Sequence, residues 1–248
     1  MAQNDDLEDL LVRLMHHVCE RLTSKAIVKG GMVLRLLDCP RNTNDLDLVL
    51  VPYGSKKDAG PMFQAMLESF QCSSLEVKVH STAIRAIVRE GRLVAKVEAS
   101  VAMDCPSIAM STASLAAIHS ELPRIVRVMR FDVALSNKLG AWLERGLYRD
   151  LYDIFYWTGI QKTQPHWPTL KQRLAHLKPR RDLPKSCTME QLAQRLEHAA
   201  TELDESALLQ ELTTTLPDSE FVGLVPRMRS VLVGFAQRIP HMDQESSG

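Results

Sequence analysis

The stretch Asn42–Pro52, NTNDLDLVLVP, interleaves two acids with aliphatic residues. Successive residues of a strand face opposite sides. Leu46, Leu48 and Leu50 therefore share one face, and Asp45 and Asp47 share the other with Val49 and Val51. Two neighbouring carboxylates on a partly apolar face repel each other unless a cation sits between them, and oxygen ligands of this kind suit Mg2+ or Mn2+. A solvated pair of acids at a strand start is the bland alternative, and the surrounding sequence separates the two.

Upstream, Ala26–Lys29 reads as a short strand entering a Gly30-Gly31 turn, followed by a brief helix in MVLRLLDC and the polar loop PRNTN. Glycines at a strand end let a phosphate approach the backbone and the N–H groups of the following helix. Thr43 adds a hydroxyl at the edge of the loop. Further upstream, Leu7, Leu10, Leu11, Leu14, Met15, Val18 and Leu22 recur at helical spacing behind the cap candidates Asp5 and Asp6.

Downstream, YGSKKDAGP has the composition of a turn and MFQAMLESF that of a helix. Leu75–Val101 is rich in strand formers, with a hairpin turning at Glu90-Gly91. Glu98 alternates with Val97 and Ala99 as a solvent-facing strand residue does, and Asp104 stands closer to the strand end. RIVRVMRF is a further strand, and DVALSNKLGAWLERG a helix capped by Asp132 and stopped by Gly146.

Beyond Tyr148 the strand signal ends, and Thr188 and Gln191 stand at capping-box spacing. The expected architecture is α+β: a mixed sheet with helices over residues 1–130, then a helical region over 131–248. KTQPHWPTLKQRLAHLKPRRDLPKS reads as a solvated connector or a basic surface for a polyanion, and DQESSG as a disordered tail.

Lys plus Arg and Asp plus Glu number 30 each, so net charge selects no class of partner. The five cysteines form no ligand spacing and read as reduced thiols, and no pair of histidines stands at ligand spacing. The start, MAQNDDLEDLL, is acidic where a signal peptide is basic, and no apolar run is long enough for a membrane span. The expectation is a cytoplasmic protein.

KGG, eleven residues, then TNDLDLVL resembles the signature of the polymerase-β-type nucleotidyltransferase superfamily. NKLGAWLERGLYRDLYDIFYW resembles the Lys and Arg-Asp-x-x-Asp motifs of the AbiEii/AbiGii nucleotidyltransferase toxin family. The resemblance implies a polymerase-β-like fold. It also implies metal-dependent transfer of a nucleoside monophosphate from a nucleoside triphosphate to an acceptor, RNA and specifically tRNA, and a cognate antitoxin. Asp45 and Asp47 become metal ligands, with Glu98 a candidate third. Gly30, Gly31 and Thr43 become nucleotide-binding residues supported by Lys29. Lys138 becomes the phosphate-contacting lysine, and Asp150 the essential downstream acid, with Arg149 and Asp153 completing its motif.

Without the resemblance, Lys138 reads as a snorkelling lysine on an amphipathic helix. Asp150 and Asp153 then form a structural cluster in which Arg149 pairs with one of the acids. The rival functions are a non-catalytic nucleotide- or RNA-binding module of the same fold, or transfer to a protein hydroxyl.

Overall fold

The computed structural model describes residues 2–178 and 185–245. The chain divides into two compact units, Met1–Arg130 and Phe131–Gly248.

The first unit is built on a seven-stranded sheet with strand order β3-β4-β5-β2-β1-β7-β6. Its strands are β1 (Ala26–Lys29), β2 (Asp45–Leu50), β3 (Ser74–Val79), β4 (Ile84–Glu90), β5 (Leu93–Val101), β6 (Ser107–Ser111) and β7 (Ile125–Met129). The sheet is mixed: β2 runs parallel to β5, β1 runs parallel to β7, and the other neighbours are antiparallel. Helix α1 (Ala2–Leu22) packs on the sheet through Leu10, Leu11, Leu14, Met15 and Val18, all fully buried. Its Arg13 pairs with Glu90, which alternates with Arg89, so α1 covers the face opposite Arg85, Arg89 and Glu98. By register, Asp45 and Asp47 lie on the face of Glu98, while Leu46, Leu48 and Leu50 lie beneath α1.

Helix α2 (Gly31–Leu36) follows the glycine turn. A buried ion cluster anchors it, in which the Arg35 guanidinium donates to both carboxylate oxygens of Glu8 and to the carbonyl of Cys39. His119 lies 3.1 Å from the same carboxylate.

Three sequence readings change in this unit. Helix α1 begins at Ala2, ahead of the cap candidates Asp5 and Asp6. YGSKKDAGP is not a turn throughout, because α3 (Lys56–Glu68) starts inside it, capped by the Ser55 hydroxyl and carrying Pro61. Ala59, Phe63, Met66 and Leu67 form a buried stripe at helical spacing that outweighs the hydrogen bond lost at proline. Edge strand β6 and helix α4 (Ala113–Ile118) are unanticipated, since SIAMS lacks the alternation of a half-buried strand.

The second unit is helical: α5 (Phe131–Arg145), α6 (Tyr148–Phe155) continued by a π-helical turn at Tyr156–Ile160, α7 (Trp167–Ala175), α8 (Met189–Thr201), α9 (Glu205–Leu212) and α10 (Leu224–Glu245). Gly146, at φ +66°, ends α5 as expected. Asp132 lies inside the first turn rather than at the cap, accepting from the N–H of Val133. Thr188 and Gln191 form the anticipated capping box. The basic stretch is more than a connector: α7 forms within it, burying Leu170 and Leu174, while Pro179–Pro184 lie outside the described residues. Likewise α10 runs through Asp243–Glu245, so only the last three residues of the supposed tail lie outside the description. Among the described residues no helix is long and apolar enough to cross a membrane.

Candidate active site

The aspartates emerge where β1 and β2 pair antiparallel, with Lys29 opposite Asp47. Asp45 is exposed and Asp47 half-buried. The Thr43 hydroxyl, on a side chain that is itself buried, lies 3.0 Å from Asp45 Oδ1 and donates to it. This fixes the orientation of the first carboxylate.

The second is seated by the glycine turn. Gly30 has φ +71° and ψ −146°, and a Cβ added to it would stand 2.5 Å from Asp47 Oδ2. A Cβ on Gly31 would stand 2.6 Å from Thr43 Oγ1 and 3.4 Å from the buried Arg41 guanidinium. The space that the two glycines leave is thus filled by Asp47 and by the loop that orients Asp45. The turn brings both carboxylates against the start of α2, where backbone N–H groups lack helical partners. Arg41, which sequence reasoning did not single out, braces that loop by donating to the carbonyl of Asn42 at 3.1 Å.

Glu98 is the register partner of Asp47 across the parallel ladder. Its carboxylate is held at 2.8 Å by Arg85, its partner on the other side. Among the described residues no three acidic, histidine or cysteine side chains form a ready metal cage. Asp45 and Asp47 are a pair of hard oxygen donors on one strand face, which fits a divalent ion that takes its other ligands from water and substrate phosphates.

Other titratable groups of the first unit have structural roles. Asp104 caps the N–H of Cys105, and burial pushes the Cys105 thiol up to about 11. Burial likewise raises Cys19 to about 12, so neither thiol supplies a thiolate near neutrality. His16 lies 3.0 Å from the Thr112 hydroxyl in the core, and burial lowers its pKa.

The downstream motif gathers Lys138, Arg145, Asp150 and Asp153 into an ion cluster within the helical unit. Asp150 and Asp153, three apart on α6, are each 1 % exposed. The Lys138 ammonium lies 2.7 Å from Asp153 Oδ2 and 3.2 Å from Asp150 Oδ1. Arg145 grips Asp150 with two bonds, from Nε to Oδ2 at 3.0 Å and from a terminal nitrogen to Oδ1 at 2.8 Å. In the alternative, structural reading Arg149 pairs with one of these acids; here Lys138 and Arg145 take that place. Arg149 is exposed, and its backbone N–H, with that of Tyr148, is taken by the Glu211 carboxylate at the start of α6. Arg145 was missed, although it stands two helical turns from Lys138, on the same side of α5.

The profile of the AbiEii nucleotidyltransferase toxins, of a type IV toxin–antitoxin system, matches residues 13–232. Among solved structures, MenT4, a nucleotidyltransferase toxin of Mycobacterium tuberculosis H37Rv, superposes with a TM-score of 0.54 at 16% identity, covering 96% of this chain and 86% of that one. At that identity the likeness shows the fold. CdnG, a CD-NTase of Bradyrhizobium diazoefficiens solved with GTP, gives a TM-score of 0.27 at 13% identity, covering 96% of this chain and 92% of that one. No curated protein matches the chain.

Proposed function

The chain belongs to the AbiEii nucleotidyltransferase toxin family of type IV toxin–antitoxin systems, and on that premise we propose that it transfers a nucleoside monophosphate from a nucleoside triphosphate to an RNA hydroxyl, on tRNA in particular. The acceptor oxygen attacks the α-phosphorus, the bond to the β-phosphate oxygen breaks, pyrophosphate leaves, and the hydroxyl proton passes to solvent. The physiological output is growth arrest restrained by a cognate antitoxin.

One observation carries this reading: the aspartate pair is built into place, Asp45 by the Thr43 hydroxyl and Asp47 by the space above Gly30. A binding module gains nothing from orienting two repelling carboxylates on one strand face. Asp45 and Asp47 would hold Mg2+ or Mn2+, which when bound supplies Lewis-acid polarisation of the α-phosphate and neutralises charge on the leaving pyrophosphate. The backbone N–H groups at Gly30 and Gly31 would meet the outer phosphates from beside the Asp47 carboxylate and Thr43 hydroxyl that fill the space above the glycines, and Lys29, opposite Asp47, adds positive charge there. By its place in the family motif, Lys138 of the helical unit would be the phosphate-contacting lysine, a compact ammonium. Glu98, the register partner of Asp47, would be the third carboxylate to hold the ion.

The test is incubation with each α-labelled nucleoside triphosphate, Mg2+ and total RNA. Label should enter RNA with the wild-type chain and be lost with Asp45→Asn or Asp47→Asn, both of which should keep their fold because neither carboxylate is part of the core. Near wild-type transfer by either variant overturns the site. Label on protein instead of RNA overturns the acceptor and assigns a protein hydroxyl.

A further inference from the structure

We infer that Arg145 is a positioning residue of the transferase: by gripping Asp150 it lets Asp150 and Asp153 together fix the Lys138 ammonium, so that Asp150 is a strut and not a proton acceptor. The inference rests on the reading of Lys138 as the phosphate-contacting lysine.

The sequence motif leaves Asp150 two roles, activating the acceptor hydroxyl or placing the lysine, and the geometry separates them. A general base must come within hydrogen-bond reach of the proton it takes. Asp150 is 1 % exposed, and both of its oxygens are occupied. Oδ1 receives Lys138 and Arg145, and Oδ2 receives the second arm of Arg145. Three charge-assisted donors converge on a buried carboxylate that presents almost no surface to a substrate.

Lys138 is different. Its side chain is 17 % exposed, and it is held from beneath by two acids on consecutive turns of α6. Each of the two buried acids is paired with a cation, so the cluster fixes one ammonium while keeping both carboxylates compensated. A planar fork suits Arg145 to this task, because a bidentate grip fixes the carboxylate plane where a lysine would fix only a distance. With Arg145 removed, Asp150 faces Lys138 alone, and the ammonium is drawn from its shared position toward Asp150.

Calorimetric titration of the full chain with magnesium tripolyphosphate tests this independently of nucleobase and acceptor. Lys138→Ala should weaken binding by roughly tenfold or more, the size of one lost charged contact. Arg145→Ala should weaken it in the same direction, regain it when methylguanidinium is added, and add nothing in combination with Lys138→Ala. Asp150→Asn should weaken binding in the same direction, without rescue by methylguanidinium. If Arg145→Ala does not fold, Arg145→Lys decides in its place and should still show weakened binding. Wild-type affinity in the folded Arg145 variant, alongside a Lys138→Ala defect, overturns the inference and spares the function. Wild-type affinity in Lys138→Ala overturns the phosphate-contacting reading itself. An Asp150→Asn variant that binds normally but transfers nothing restores the general base.

Discussion

Replacing Gly30 by alanine tests whether the turn exists to seat Asp47. The added Cβ would stand 2.5 Å from Asp47 Oδ2 and 3.2 Å from the Asp47 Cβ, so the carboxylate must withdraw by roughly 0.9 Å to reach ordinary contact at 3.4 Å. Independently, φ +71° with ψ −146° is backbone that alanine rarely adopts, a strain of about 1–3 kcal/mol. Overpacking at a crowded position adds about 1–3 kcal/mol more. Urea denaturation should show the sum of the two. Repeated in an Asp47→Gly background, where all three crowding atoms are gone, the substitution should retain only the backbone part. The difference between the backgrounds isolates the clash. Calorimetry with Mn2+ should show weaker binding by Gly30→Ala, because its displaced carboxylate no longer lies beside Asp45. Equal losses in the two backgrounds, or a loss below about 0.5 kcal/mol in the first, would refute the seating argument.

Glu8→Ala strands the nearly buried Arg35 guanidinium and should cost about 3–5 kcal/mol in urea denaturation; a loss under about 1 kcal/mol refutes an anchoring role for the cluster. Burial holds His16 below its usual 6.5, so its neutral ring contributes full stability above that pH and loses it as pH falls through the folded-state value. Melting temperatures should therefore fall from pH 7 toward 5, and less steeply in His16→Gln; parallel slopes exclude His16 as the cause. Arg85→Gln releases Glu98 beside Asp47 and should tighten Mn2+ binding, and unchanged affinity removes Glu98 from the ligand set.

The aspartate strand was legible because its information is local. A period of two places Asp45 and Asp47 on one face whatever the rest of the chain does, and the register with β5 then puts Glu98 beside Asp47. The glycine pair was legible as a turn, but what fills the space above it was not. That Asp47 lies over Gly30 and Thr43 over Gly31 depends on the antiparallel pairing of β1 with β2 and on the path of the intervening loop. Strand β6 escaped notice for a related reason: five short residues at a sheet edge are specified by the partner β7 more than by their own pattern.

The choice between Arg145 and Arg149 shows where local reasoning stops. Arg149 precedes Asp150 directly, and adjacent helical residues do not face one another. It does stand four before Asp153, which made an ion pair plausible on paper. That pairing requires Asp153 to sit near the helix surface, whereas Asp153 is 1 % exposed and turned toward Lys138 on α5. Gly146, at φ +66°, breaks the helical phase between Arg145 and α6, so no periodicity carries across it. The fold of that turn sets Arg145 against Asp150, and Glu211 from α9 secures the first N–H groups of α6 in the same place. Within the single helix α5, however, Lys138 and Arg145 are seven apart, so two cations on one helical side opposite two acids on the next were already written in the sequence.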